Sequence, residues 1–272
     1  MKLLVFGGTG MAGHMIIRYF KQRPEYEVYY TTRDQSDSEG IFVDVTDSTS
    51  VEKVIETVKP DISINCIGIL NAHAERETKL AFQVNSLLPH QLAKLMERSG
   101  GRLIHISTDC VFSGSKGDYT ETDLTDGTSI YAQSKQLGEV VSDKHLTIRT
   151  SIIGPELKEN GIGLFLWFMK QEGTIKGFEK VMWNGVTTLE LAKAIHYMIE
   201  NKVSGLYHLG SPHKLSKHEL LTMIQEIYQK TDVTIIPDQK MIQDRSIQNT
   251  RTDVGYQIQG YREMLEEMRD WS

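Results

Sequence analysis

Tyr131 and Lys135 stand four residues apart in the run Ser129-Ile-Tyr-Ala-Gln-Ser-Lys135. Positions i and i+4 share one face of a helix, so both side chains can reach a single point. A tyrosine by itself is a poor acid or base at neutral pH, because its ordinary pKa is about 10. An ammonium one turn away favours the phenolate and draws that pKa toward the working range. The pair can then pass a proton to or from a carbonyl or hydroxyl oxygen. Alone, the spacing is weak evidence, since such pairs arise often on solvated helix faces. The elements that must position it give it weight.

Leu3 to Phe6 is an apolar run, as expected of a strand buried on both faces. It enters Gly7-Gly-Thr-Gly10-Met11-Ala12-Gly13, and Met15, Ile16, Ile17, Tyr19 and Phe20 then give a helical apolar face. In this strand–turn–helix context Gly7 permits the tight turn, Gly10 lets the backbone approach a diphosphate, and Gly13 lets the helix pack on the strand. The diphosphate would sit on the helix N-terminus. A second strand over 27–32 ends at Arg33-Asp34. An arginine there accommodates the 2′-phosphate of NADP and an acid accepts from the ribose of NAD. Arg33 comes first, so NADPH is expected over NADH, with Asp34 leaving NAD open.

A short strand over 40–45 ends in Asp44-Val45, and one over 62–66 runs into Cys66-Ile67-Gly68. Strand carboxyl ends line the ligand crevice of such a sheet, which places Asp44 near the adenine and Cys66 to Gly68 along the cofactor. Apolar spacing predicts a helix over 79–98, interrupted by Pro89. The strand over 102–106 ends in Ser107-Thr108-Asp109-Cys110. A hydroxyl there can bind a substrate oxygen together with Tyr131. Residues 113–129 read as a polar surface loop, and 146–149 as a strand.

Six strand signals alternating with helices predict an α/β fold with a doubly wound parallel sheet. Residues 1–150 read as a dinucleotide-binding core. Residues 151–272 read mainly as a smaller substrate-binding lobe, with some segments returning to the core. In that lobe helices are expected over 164–169, 186–200, 216–229 and 261–268, and a strand over 205–209. Arg245 lies in a polar stretch where it could clamp a phosphate.

The 272 residues carry a net charge of −6 and two cysteines. No basic patch points to nucleic acid, no run is long and apolar enough for a membrane span, and no CxxC pattern points to a disulfide framework. These features fit a reducing cytoplasm. The histidines show no metal-ligand spacing and read as core or surface residues. Trp167, Phe168 and Trp183 read as packing residues more readily than as sugar contacts. The oligomeric state is not legible, and a homodimer stays open.

Three motifs in this order, the glycine turn, Ser-Thr-Asp at a strand end and Tyr-x-x-x-Lys, resemble the extended short-chain dehydrogenase/reductase family. Ile104-His-Ile-Ser-Thr-Asp-Cys-Val-Phe-Ser-Gly114, Phe82-Gln-Val-Asn85, Tyr119-Thr-Glu121, Tyr131-Ala-Gln-Ser-Lys-Gln-Leu-Gly-Glu139 and Leu146-Thr-Ile-Arg-Thr-Ser151 are similar to the dTDP-4-dehydrorhamnose reductase subfamily. The likeness is strong to about residue 155 and thin beyond it, apart from Asp244-Arg-Ser. It implies a Rossmann-type core and an NAD(P)H-dependent reductase of a nucleotide-linked 4-keto-6-deoxy sugar, serving cell-surface polysaccharide synthesis. By motif position Tyr131 would donate the proton, Lys135 would bind the nicotinamide ribose, and Thr108 would polarise the carbonyl. Gly10, Met11, Ala12, Asp44, Val45, Cys66, Ile67 and Gly68 would contact the cofactor. Asp109 would lie near the sugar, and Arg245 would hold the diphosphate.

Two positions depart from the subfamily pattern. Cys110 replaces an aromatic and Ile152 a tryptophan, both expected to touch the sugar. A UDP-linked N-acetylated sugar therefore stands beside the dTDP-linked one. An epimerase or 4,6-dehydratase, and a cofactor-binding regulatory subunit without chemistry, are the competing readings. Cys110 after Asp109 argues against a dehydratase, which usually carries Asp-Glu there. Intact Thr108, Tyr131 and Lys135 weigh against a regulatory subunit.

Overall fold

The computed structural model describes residues 1–271. The first half alternates β1 (Lys2–Phe6), α1 (Met11–Lys21), β2 (Glu27–Thr32), β3 (Ile41–Phe42), α2 (Ser48–Val58) and β4 (Ile62–Asn65). There follow α3 (Asn71–Arg76), α4 (Thr78–Ala81), a π-helical turn (Phe82–Leu87), α5 (Leu88–Arg98), β5 (Arg102–Ile106), α6 (Ile130–Leu137) and β6 (Leu146–Thr150). The rest comprises β7 (Ile152–Ile153), α7 (Leu164–Met169), β8 (Gly173–Trp183), β9 (Val186–Thr187), α8 (Thr188–Glu200), β10 (Gly205–Leu209), β11 (Leu215–Ser216), α9 (Lys217–Ile227), β12 (Val233–Asp244) and α10 (Tyr261–Trp271).

Seven parallel strands form the central sheet in the order β10-β6-β5-β4-β1-β2-β3. Period-2 alternation splits β1 between two cores. Leu3 and Val5 pack with Ile16 and Phe20 of α1 and Ile195 of α8, whereas Leu4 and Phe6 pack with Val54 of α2 and Leu92 of α5. Both faces are thus covered, as an all-parallel sheet requires. Strand order reverses between β1 and β4, and a crevice opens at the carboxyl ends of the strands there.

The helix expected over 79–98 is not one regular helix. A π-helical turn precedes Pro89, which sits in the first turn of α5. That turn carries Asn85, whose Oδ1 accepts from Ile69 N–H at 2.8 Å. Its Nδ2 donates to Ile69 O at 2.9 Å and to Ser134 Oγ at 2.9 Å. One amide therefore ties the loop after β4 to the helix that carries Tyr131 and Lys135.

The second half contains strands that the sequence reading passes over. β8 pairs in parallel with β12 and antiparallel with β11. Gly177 and Lys176, Glu179 and Lys180 interrupt the alternation of β8, and Pro237 sits in β12, which is tolerated because β12 is an edge strand. Ser216 N-caps α9 in a full capping box with Glu219. Among the described residues no helix is long and apolar enough to cross a membrane.

Candidate active site

The turn after β1 is set by Gly7, whose φ of +84° is a left-handed conformation. A Cβ at Gly13 would come within 2.2 Å of Gly7 O, so only glycine lets α1 rest on the turn. Gly10 precedes α1 without a side-chain cap, and no acid occupies the first turn. Its free N–H groups and dipole suit an anion. A cavity of about 390 Å3 opens beside this turn. Its walls include Gly7, Gly10, Arg33, Asp44, Val45, Cys66, Ile67 and Gly68. Met11, Ala12 and Gly13 form the first turn of α1 next to it but do not line it. This shape and donor set fit a dinucleotide.

At the adenosine end Asp34 accepts from Ser36 N–H at 2.9 Å and from Ser36 Oγ at 2.6 Å, so its carboxylate is committed to its own loop. Those hydrogen bonds hold its pKa below the ordinary carboxylate value. Asp44 is likewise held low by the hydroxyl and N–H of Thr46. Lys158, from the second half of the chain, lines the cavity with Arg33. Sequence reasoning missed this second cation, because no local pattern relates it to the glycine turn.

Ser129 accepts from Ala132 N–H at 3.1 Å and starts the helix on which Tyr131 and Lys135 share a face. Thr108 ends β5. It accepts from Cys110 N–H at 3.1 Å and donates to Asp109 Oδ1 at 3.2 Å. Its hydroxyl also acts on the Tyr131 phenol, favouring the phenolate. The chain alone does not deliver the low phenol pKa expected from the spacing. Burial pushes Tyr131 up, with Cys110 and Asp109 adding to it and the Thr108 hydroxyl opposing. Lys135, 3% exposed, donates instead to Ile106 O at 2.7 Å and contacts His105 Nε2 at 3.2 Å. Burial brings its pKa down to about 8.

Arg245 reaches the same crevice, with Nη1 3.5 Å from Cys110 Sγ. Its Nε is buried with no hydrogen-bond partner among the described residues. Asn184 holds the adjoining segment in place, accepting from Ile247 N–H at 3.0 Å and donating to Ile247 O at 2.7 Å. Burial raises the Asp109 pKa, while Arg245 and Lys217 oppose that rise. Lys217, at the start of α9, lies 5.2 Å from the Trp183 ring centroid, and burial brings its pKa down to about 8. The sequence reading did not single it out, because Lys217 reads locally as an ordinary first-turn residue. Trp183 is buried and donates to Ser151 Oγ at 2.9 Å, next to half-buried Ile152. Phe168 is core and Trp167 is exposed.

The RmlD substrate binding domain model matches residues 1–264. The chain belongs to that family. The spore coat polysaccharide biosynthesis protein SpsK of Bacillus subtilis is 28% identical over 83% of this chain and 78% of its own length. The dTDP-4-dehydrorhamnose reductase of Salmonella typhimurium is 27% identical, over 86% of this chain and 81% of its own. The fold matches the crystal structure of dTDP-4-dehydrorhamnose reductase from Bacillus anthracis in complex with NADP, with a TM-score of 0.85 at 22% identity, covering 100% of this chain and 99% of the other. As an RmlD-family fold, the seven-stranded parallel core agrees with the α/β, Rossmann-type expectation.

Proposed function

We propose that this RmlD-family protein is an NADPH-dependent reductase of a nucleotide-linked 4-keto-6-deoxy sugar, with a dTDP-4-dehydrorhamnose-type substrate. The observation that carries this reading is the convergence of Thr108, Tyr131 and Lys135 beside a dinucleotide-shaped cavity. The reductase relatives and the NADP-bound neighbour support it. NADPH, when bound, supplies the hydride. The chain's own part is acid catalysis and positioning. Thr108 and Tyr131 direct hydroxyl groups at the carbonyl oxygen, and the phenol gives its proton as negative charge develops there. Burial keeps the phenol protonated at neutral pH, which suits a donor. Arg245 and Lys217 supply positive charge for the diphosphate on the sugar side. Cys110 and Ile152 shape the sugar end, and the smaller Cys110 leaves room for an N-acetylated UDP-sugar as the other candidate.

The reading is tested by NADPH oxidation with dTDP-4-keto-6-deoxy-L-mannose and with a UDP-linked 4-keto-6-deoxy-N-acetylhexosamine. Turnover of either establishes the reductase and selects the nucleotide. Bound NADPH with no turnover of either would overturn it in favour of a regulatory role.

Arg33 and Lys158 together make the pocket for the 2′-phosphate in this reading. Arg33→Ala is expected to weaken NADPH binding about 10–100-fold, the scale of one charge-assisted hydrogen bond, and to leave NADH binding unchanged. Lys158→Ala should act in the same direction with a smaller effect. Fluorescence titration with both cofactors checks this, and an equal loss for NADH would place the 2′-phosphate elsewhere.

A further inference from the structure

His105 lies fully buried on β5 against Lys135, and the proposed reaction gives it no task. Its hydrogen bonds determine where its proton resides. Asn65 Oδ1 accepts from Ile67 N–H at 3.1 Å, so the amide nitrogen is the atom that faces His105 Nδ1 at 3.2 Å. Turning the amide over would set N–H against N–H at Ile67. Nδ1 is therefore an acceptor, and a neutral imidazole accepting there carries its hydrogen on Nε2. Burial keeps the ring neutral, with Lys135 and then His90 acting in the same direction. That Nε2–H points at Lys135 Nζ across 3.2 Å. A neutral amine satisfies both neighbours, accepting from Nε2–H and donating to Ile106 O at 2.7 Å. An ammonium has no lone pair and would oppose its own N–H to that of the imidazole.

The other groups facing Lys135 do not reverse this. Glu139 favours the ammonium but is committed to Arg149, at 2.8 and 2.7 Å, and to Ser107 Oγ at 2.7 Å. The Cys66 thiol is pushed up to about 12 by burial and stays neutral. Tyr131 stays protonated. His90 is exposed and bonded to Leu137 O.

We propose that His105 is a positioning residue that favours the neutral amine of Lys135 in the cofactor-free protein, so that at alkaline pH NADPH binding takes up one proton from solvent at Lys135 Nζ. One N–H bond forms at Nζ as the bond that held the proton on its solvent donor breaks, and the donor's conjugate base stays in solution. On the reading of Lys135 as a contact of the nicotinamide ribose, the ammonium would have ribose hydroxyl oxygens as acceptors beside Ile106 O. At alkaline pH Lys135 is thus a full charge beside Tyr131 only in the loaded protein, and there the phenol is made more acidic only when reductant is present. The proposal rests on the reading of Lys135 as a cofactor contact.

The test is NADPH titration into the cofactor-free protein in weakly buffered solution with a pH indicator. The free lysine titrates at about 8. In the complex it moves toward its ordinary value of about 10.4, so uptake should approach one proton per chain near about pH 9. NADPH affinity should be flat below the free pKa. Above it, affinity should fall about tenfold per pH unit, because binding then requires a proton. Lys135→Met should take up no proton. His105→Gln offers Nζ a carbonyl oxygen, and should move the onset of the affinity loss up by about one pH unit. Binding without proton uptake in the unmodified protein would overturn the proposal, as would an unchanged profile in a folded His105→Gln protein. Failure to bind NADPH would overturn both this proposal and the proposed function. Proton uptake with no turnover of any ketosugar would sink the proposed function alone.

Discussion

Tyr131→Phe will lower kcat for ketosugar reduction by about 10²–10⁴-fold, the range that a positioned general acid contributes. The substitution removes one oxygen and keeps the ring, so the packing of α6 on the π-helical turn is preserved. Ser134 still receives Asn85 Nδ2 at 2.9 Å, and Ser86 Oγ still donates to Ser134 O at 2.8 Å. NADPH affinity and KM are therefore expected to stay close to their original values, and the loss falls on the chemical step. The size of the effect follows from the surroundings of the phenol. Burial makes Tyr131 a reluctant acid, and the Thr108 hydroxyl offsets that only in part. The residual rate in the phenylalanine protein reports what Thr108 and binding alone provide. Retention of kcat within tenfold would show that another group delivers the proton. Steady-state kinetics with the productive ketosugar, beside a cofactor titration, separates the outcomes.

Arg149→Met is expected to destabilise the fold by about 3–5 kcal/mol, because it strands a charge in the interior. Arg149 and Glu139 are both 6% exposed and meet in a two-pronged pair, Nε to Oε1 at 2.8 Å and Nη2 to Oε2 at 2.7 Å. Glu139 also accepts from Ser107 Oγ at 2.7 Å, one residue before Thr108. The guanidinium carbon lies 5.1 Å from the Phe112 ring centroid, and Nη1 is 3.3 Å from His208 Nε2. The pair thus fixes the end of β5 against β6 and β10. Methionine fills much of the arginine volume, so the deficit measured by urea unfolding is chiefly the uncompensated carboxylate. Adding Glu139→Gln removes that charge and should recover a substantial part of the loss. A single-variant cost under about 1 kcal/mol, the range of solvated pairs, would mean that water reaches Glu139.

Local chemistry made several parts of this protein legible in its sequence. Residues 27–32, 102–106 and 205–209 form elements with the expected bounds, because their apolar spacing and flanking breakers compete with nothing nearby. The glycine turn is legible for the same reason, since what Gly7 and Gly13 must do is decided within the turn itself. Tyr131 and Lys135 share a face because four residues separate them on a helix. What the spacing could not supply was the environment. The π-helical turn at 82–87 and the strands over 173–183 and 233–244 depend on partners distant in the chain, and neither Gly177 nor Pro237 announces a strand. Lys158 and Lys217 reach the crevice from the second half of the chain. The partners of Lys135, His105 Nε2 and Ile106 O, lie about thirty residues away on β5. Periodicity is a property of neighbours along the chain, so the sequence by itself determined the core elements and the candidate acid. Protonation depends on burial and on donors arriving from other strands, so only the tertiary structure decided the charge that each candidate carries.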